Sequence, residues 1–394
     1  MRPALSRRLT GFGTTIFSEI TRLATLHNAV NLGQGFPDFD GPDFVKQAAI
    51  AAIREGKNQY ARMSGVPPLN EALSAKYARD YTLSYHPDTE ITVTSGATEA
   101  IWDAIQGLCD VGDEVVLFEP YYDSYKASIL NAGAIPRPVT LRLSASGEAN
   151  QTSNWEFDPA DLRAAINPRT KIVLINTPHN PTGKVFSRPE LQLIADLCQK
   201  HDLICISDEV YEHLVYEGQH VPMAALEGMH ERTVTVSSLG KTFSLTGWKI
   251  GWTCAPSRLT AAVRAAHQFV TFATATPLQW GAVAALQAPV SFYDELRATY
   301  QGKRDKLVSG LNAAGLQAFV PEGTYFIAAG FAGAGFTDDI AFARHLVERV
   351  GIAVIPPSVF YDRTDRPQTW VRFAFCKRDS TLDSAVERLS KLRP

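Results

Sequence analysis

Two hydrophobic periods alternate along the chain from about residue 43 to residue 290. Pro42 followed by DFVKQAAIAAIREG predicts a helix with proline at its first position and a glycine stop. VPPLNEALSAKYARDY predicts a second amphipathic helix. Six short β-rich runs follow: ITVTSG (91–96), EVVLFEP (114–120), KIVLINTP (171–178), LICISDE (203–209), TVTVSS (233–238) and KIGWTCAP (249–256). Several are apolar at successive positions, as strands covered on both faces must be. Helical stretches such as ATEAIWDAIQGL and RPELQLIADLCQKH separate most of them. Alternating strands and helices predict an α/β fold with a mainly parallel sheet.

After about residue 290 the pattern changes. A long charged helix over 292–314 precedes short strands at 317–320, 325–329, 352–355 and 370–375, with helices near 337–349 and 381–391. Strands with fewer crossovers predict a smaller α+β domain. The first 40 residues lack the crossover pattern and read as an arm that packs against the small domain or a partner subunit. The expected division is an arm over 1–40, a large domain over 41–290 and a small domain over 291–394. Ser144 to Ser153, rich in Ser, Gly, Asn and Gln, reads as a surface loop.

Composition narrows the picture. A length of 394 residues predicts two or three domains, and 45% hydrophobic with 20% charged residues excludes a disordered, collagen-like or coiled-coil chain. With 38 basic and 41 acidic side chains the net charge is −3, so no strong field is available to hold nucleic acid or an anionic membrane. The five cysteines are scattered without a CxxC pair, which predicts buried reduced thiols in a cytoplasmic protein rather than disulfides or a metal site. No apolar run reaches the ~18 residues needed to cross a membrane. Arg2, Arg7 and Arg8 precede no apolar signal core and read as a solvated arm.

The chemistry should lie at the carboxyl ends of the strands, where open α/β sheets bind ligands. Four strand ends carry polar or glycine-rich groups: GATEA (96–100), TPHNPTG (177–183), DEVY (208–211) and SLGKTFSLTGWK (238–249). Lys241 lies just beyond a strand with Lys249 eight residues on, and a nearby cation lowers an amine's pKa. A lysine amine forms Schiff bases, notably with pyridoxal phosphate. That cofactor also needs a carboxylate at its ring nitrogen, donors to its phenolic oxygen and an anion site. Asp208 suits the first, and Tyr211 and Asn180 the second. Gly96 to Thr98 open a helix directly after a strand and suit the third, with Ser238 and Lys249 adding a hydroxyl and a charge.

The set NLGQGFPDF (31–39), NQY (58–60), TSGATEA (94–100), FEPYYDSY (118–125), NTPHNPTG (176–183), SDEVY (207–211), SSLGKTFSLTGWKIGW (237–252), GTYF (323–326) and VRFAF (371–375) resembles the fold-type I pyridoxal-phosphate enzymes, specifically the class I/II aminotransferases. The resemblance runs from about residue 9 to the C-terminus, and within the class it leans towards the kynurenine and methionine aminotransferases; GTTIF (13–17) leans towards the methionine-preferring members. It implies an aspartate aminotransferase-like large domain around a seven-stranded, mainly parallel sheet. It implies pyridoxal 5'-phosphate as cofactor, amino-acid and 2-oxo-acid substrates, and a homodimer with shared active sites. The implied catalytic set is Lys241 as the Schiff-base lysine and proton shuttle, Asp208 at the ring nitrogen and Tyr211 with Asn180 at the phenolic oxygen. Tyr122 would stack on the ring. Gly96, Ala97, Thr98, Ser238 and Lys249 would bind the phosphate, with Tyr60 reaching it from the neighbouring subunit. Arg372 would clamp the substrate carboxylate, aided by Gly35 and Asn180, and Phe17 would face the substrate. An arginine suits that task because guanidinium binds a carboxylate through two parallel bonds.

Kynurenine enzymes often carry an aromatic residue where Thr98 stands and a tryptophan where Phe17 stands, and no second arginine matches a dicarboxylate side chain. The expected donor is therefore methionine, an aromatic amino acid or a glutamine-like one. Two alternatives share or replace this chemistry. A carbon–sulfur β-lyase, or a kynurenine aminotransferase, uses the same site. A regulatory binding module would require an N-terminal DNA-binding region, and the motifs start by residue 31.

Overall fold

The computed structural model describes residues 6, 8, 12, 16–143, 155–362 and 367–392. The stretch over 144–153 expected as a loop, and residues 2, 7 and 13–15 of the N-terminal segments, lie outside them.

Seven strands form one sheet in the order Ile91–Thr94, Gly251–Cys254, Thr233–Ser238, Ile204–Asp208, Thr170–Asn176, Glu114–Glu119 and Ile135–Thr140. All neighbours pair in parallel except Gly251–Cys254, which runs antiparallel to both of its partners. The apolar runs explain the layering. Val115, Leu117, Ile172 and Leu174 point to one face and pack with Ile101, Ile105, Leu259 and Val263 of two helices. Val116, Phe118, Val173 and Ile175 point to the other and meet Leu191 and Ile194 of the Arg188–Lys200 helix. That helix opens on Ser187, which forms a capping box with Glu190.

Ile135–Thr140 is a strand that the hydrophobic pattern did not predict, because Pro136 and Pro138 interrupt it. It lies at the sheet edge, where proline is tolerated. The N–H of Ile135 donates to Asp113 and that of Leu141 to Glu119, so odd positions face the neighbouring strand. Both prolines therefore turn their donor-less nitrogens to the open edge and blunt it against further pairing.

A second, antiparallel sheet contains Gln317–Phe319, Phe326–Gly330 and Trp370–Ala374. The long helix Val290–Ala313 and the helix Asp379–Leu389 cover it, contributing Leu307, Leu311, Leu382 and Leu389 to its core. The N-terminal segment joins this part of the same chain. Val30–Asn31 pairs in parallel with Ile352–Ala353, and the helix Ile16–Leu26 packs Ile20, Leu23 and Ala24 on Val347, Ala353, Ile355 and Phe360.

Candidate active site

Six of the seven strands deliver their carboxyl ends to one edge of the large sheet, and the antiparallel strand delivers its beginning there. That reversal returns Lys249, the residue just before Ile250 and Gly251, to the same edge as Lys241. A cavity of about 150 Å³ opens at this edge. Its lining includes Gly96, Ala97, Thr98, Tyr122, Asn180, Asp208, Tyr211, Ser238, Lys241 and Lys249, ten of the residues that the sequence singled out.

One end of the cavity is built for an anion. The helix Gly96–Leu108 starts directly after Ile91–Thr94, leaving its first-turn N–H groups without helical partners. Gly96 holds φ +80, and a Cβ there would sit 3.2 Å from Lys249 Nζ. Gly251 is equally constrained: its Cβ would come 2.5 Å from the Gly96 carbonyl carbon and 2.7 Å from the Ala97 nitrogen. The strand can thus press its first residue against the helix end only because both positions are glycine.

Asp208 stands on the cavity wall below. It is 4% exposed, its Oδ2 accepts from the Tyr125 hydroxyl at 2.5 Å, and its Oδ1 from the Val210 N–H at 3.3 Å. Burial pushes the carboxyl up to about 6 against the pull of these bonds and of Lys241. Asn176 braces the wall, donating to the Asp208 carbonyl at 2.9 Å and accepting the Asn180 N–H at 2.7 Å. Lys241 sits on a single helical turn, Leu239–Thr242, with its Nζ 5.7 Å from the Tyr211 ring centre and 5.9 Å from that of Tyr325. Burial lowers its amine to about 8, helped by Arg372 and Lys249 and opposed by Asp208 and Cys376.

Arg372 comes from the second sheet. Its strand pairs it with Ala328, and two backbone bonds to Ile355, at 2.9 and 3.1 Å, fix the other side. The side chain is buried: Nη1 donates to Asn180 Oδ1 at 2.8 Å and Nη2 to the Gly33 carbonyl at 3.0 Å. Phe326, Phe360 and Phe17 surround the guanidinium at 4.0, 5.2 and 5.6 Å. Phe17 is set in place through its carbonyl, which accepts from Gln34 Nε2 at 3.2 Å. The Gly35 carbonyl accepts from the Tyr325 hydroxyl at 2.7 Å.

Tyr60 stands apart. It is 86% exposed, does not line this cavity, and lies edge-on to Phe272 at 5.7 Å between ring centres. Several contributors escaped the sequence reading, among them Tyr125, Asn176 and Phe360. Tyr125 follows Tyr122 at helical i, i+3 spacing and touches it edge-on at 5.8 Å, a spacing that could have flagged it. Asn176 was visible as a polar residue ending an apolar strand. Phe360 gave no signal, since only the fold brings it to Arg372.

These residues fit pyridoxal phosphate. The cavity has an anion-binding end with a lysine, an amine of lowered pKa, and a buried carboxylate whose ionised form needs a cation beside it. A protonated ring nitrogen would be that cation. The match covers a phosphate, an aldehyde and a pyridine nitrogen at three separate points.

The description Aminotransferase class I and II matches residues 27–389. The chain is similar to N-succinyldiaminopimelate aminotransferase of Mycobacterium tuberculosis, whose solved structure superposes with a TM-score of 0.94 at 45% identity, covering 99% of this chain and 100% of that one. It is 42% identical to kynurenine–oxoglutarate transaminase 3 of Mus musculus, over 97% of this chain and 89% of that one. YbdL of Escherichia coli, identified with a methionine aminotransferase function, superposes with a TM-score of 0.92 at 39% identity, over 98% and 100% of the two chains.

Proposed function

The chain belongs to the class I and II aminotransferases, pyridoxal phosphate-dependent transaminases of aspartate aminotransferase-like fold, and from that premise we propose that its amino donor carries an uncharged side chain, methionine or an aromatic amino acid, with glutamine-like donors next. One observation carries this reading. Beyond Arg372 the substrate side of the site is aromatic, with Phe17, Phe326 and Phe360 around the guanidinium. Among the described residues the only cations lining the cavity are Lys241 and Lys249. A side-chain carboxylate buried here without a partner costs several kcal/mol, whereas the methionine sulfur packs on ring edges with about 0.3–1.5 kcal/mol of gain.

The division of labour follows from the geometry. When bound, pyridoxal phosphate supplies an electron-withdrawing ring that takes up the charge left as the substrate's α-proton departs. Arg372 binds the α-carboxylate, pre-aimed by Asn180 and Gly33 so that no rotamer search remains on substrate arrival. Lys241 Nζ, with its pKa near 8, can hold or release the α-proton close to neutral pH. Asp208, fixed by Tyr125 and Val210, keeps a negative charge at the ring nitrogen. Tyr211 and Asn180, both lining the cavity, would donate to the phenolic oxygen, and Tyr122 would stack on the ring. The Gly96–Thr98 amides, Ser238 and Lys249 would take the phosphate, and Tyr60 would reach it from a second subunit.

A second reading takes the donor of the 45%-identical relative, an N-succinylated diamino acid. It makes the opposite demand, a fixed cation for the distal carboxylate. A steady-state panel of methionine, phenylalanine, kynurenine, N-succinyldiaminopimelate and aspartate with one 2-oxo acid separates the two. Methionine or phenylalanine should exceed aspartate by roughly a hundredfold in kcat/KM, about 2.7 kcal/mol. The succinylated donor matching or exceeding methionine would replace the apolar reading by the second. Pyruvate release from cystathionine measures the β-lyase alternative in parallel.

A further inference from the structure

Behind the cavity wall lies a layer of buried charge that touches neither substrate nor cofactor. Three cavity-lining residues are each followed at once by a buried carboxylate: Thr98 by Glu99, Asp208 by Glu209 and Tyr211 by Glu212. Each carboxylate meets a base from a different part of the large-sheet region. His267 Nδ1 lies 3.0 Å from Glu99 Oε1, His220 Nε2 lies 2.9 Å from Glu209 Oε2, and Lys76 Nζ lies 2.5 Å from Glu212 Oε2.

The third pair is the most completely built. The Lys76 and Glu212 side chains are 1% and 2% exposed. Glu212 Oε2 also accepts from the Tyr81 hydroxyl at 2.5 Å, and Oε1 from the Ser237 hydroxyl at 2.8 Å. His213 stands 4.0 Å from the same carboxylate, with burial pushing its ring down to about 4 and so keeping it neutral at pH 7. Asp80 faces Lys76 from the other side at 3.8 Å. Glu212 is therefore held by the helix Pro67–Tyr81 and by the end of the strand Thr233–Ser238. Its chain neighbour Tyr211, and Ser237's neighbour Ser238, both line the cavity.

A pair this deep adds little net stability, because desolvating both charges offsets most of their attraction. What a fully satisfied buried network does supply is a single orientation for the backbone that carries it. We propose that Glu212, locked by Lys76, Tyr81 and Ser237, is a positioning residue that aims Tyr211 and Ser238 at the cofactor. The inference rests on the reading of Tyr211 as donor to the phenolic oxygen and of Ser238 as a phosphate ligand.

The holoenzyme's cofactor absorption band, titrated with pH, tests it. Tyr211→Phe removes the donor, destabilises negative charge on the phenolic oxygen and should raise the midpoint of that titration. Glu212→Gln should raise it too, by about half a unit or more, and loosen cofactor binding several-fold through Ser238. Lys76→Arg, which keeps the charge, should leave the midpoint at the parent value, whereas Lys76→Met should raise it. Because Glu212→Gln strands a buried ammonium, the charge-free double variant Lys76→Met with Glu212→Gln guards against simple misfolding and should show the same raised midpoint. If Tyr211→Phe moves the midpoint while the folded double variant titrates like the parent and binds the cofactor equally well, the positioning role is refuted. If Tyr211→Phe itself leaves the midpoint unmoved, the reading of Tyr211 falls and the inference falls with it.

Discussion

Lys241 and Asp208 have been moved towards each other on the pH scale by the same cause. Burial lowers the lysine to about 8 and raises the aspartate to about 6, because each loses water that favours its charged form. The amine must be neutral to capture the cofactor's aldehyde. Capture by the apoprotein should therefore accelerate as pH rises through about 8 and level off there, rather than near the ordinary lysine value. Stopped-flow mixing of apoprotein with pyridoxal phosphate between pH 6.5 and 10 measures this, and a rate still climbing at pH 10 would contradict the lowered value. Lys241 and Asp208 could be singled out in the sequence as charged residues in or beside an apolar strand, where bare burial is too costly without a task, whereas Arg372 entered through the resemblance of VRFAF. Phe360 was not legible, since an aromatic side chain beside apolar neighbours is what any core contains, and Tyr125 carried only its spacing from Tyr122.

Elements show the same division. The six short β-rich runs could be read directly, because their β-branched and apolar residues suit strands covered on both faces. Ile135–Thr140 could not, since its prolines argue against a strand until its edge position is known. The contact between the Gly251–Cys254 strand and the start of the Gly96–Leu108 helix yields a specific expectation. Gly251→Ala would force a methyl group to within 2.5 Å of the Gly96 backbone and push the helix end aside. The fold should survive on its remaining core while affinity for the cofactor falls at least about tenfold, the loss of roughly one phosphate hydrogen bond. Equilibrium dialysis against pyridoxal phosphate reads it.

The same helix is tied to its neighbour by a titrating contact. His267 Nδ1 faces Glu99 and Asp103 at 3.0 and 3.2 Å, while Nε2 faces the Met63 carbonyl at 3.0 Å. With acceptors at both nitrogens the ring is an imidazolium, and these bonds raise it to about 9 although burial alone would lower it. A folded-state pKa above the unfolded 6.5 means stability that is full below about pH 6.5 and is lost as pH rises through about 9. The melting temperature should decline across that window, and His267→Gln should flatten the decline. An unchanged slope in the variant would assign the pH dependence elsewhere.

At the scale of the whole molecule, the large sheet supplies the charged cavity and the second sheet supplies Arg372, so the site exists only where the two meet. Tyr60 and Phe272, in edge-on contact, are 86% and 45% exposed, an apolar pair better suited to a neighbouring subunit than to water. The expected assembly is a twofold dimer in which Tyr60 completes the partner's phosphate site. Sedimentation should give a dimer, and Tyr60→Asp with Phe272→Asp should yield monomers that bind the cofactor weakly. A fully active monomer would dispose of the shared site.

The pairing of Val30–Asn31 with Ile352–Ala353 also has a consequence in time. More than 300 residues separate the two segments. At about 5–20 residues per second on the ribosome, the N-terminal helix waits roughly 15–65 s before its binding surface has been synthesised. Throughout that interval Ile20, Leu23 and Ala24, destined for contacts with Val347, Ala353 and Ile355, face solvent or a chaperone. The large sheet can already be closing around its own core. An early helix is thus held open for a late strand, and Arg372, whose guanidinium donates to the Gly33 carbonyl, is secured only when that long loop finally shuts.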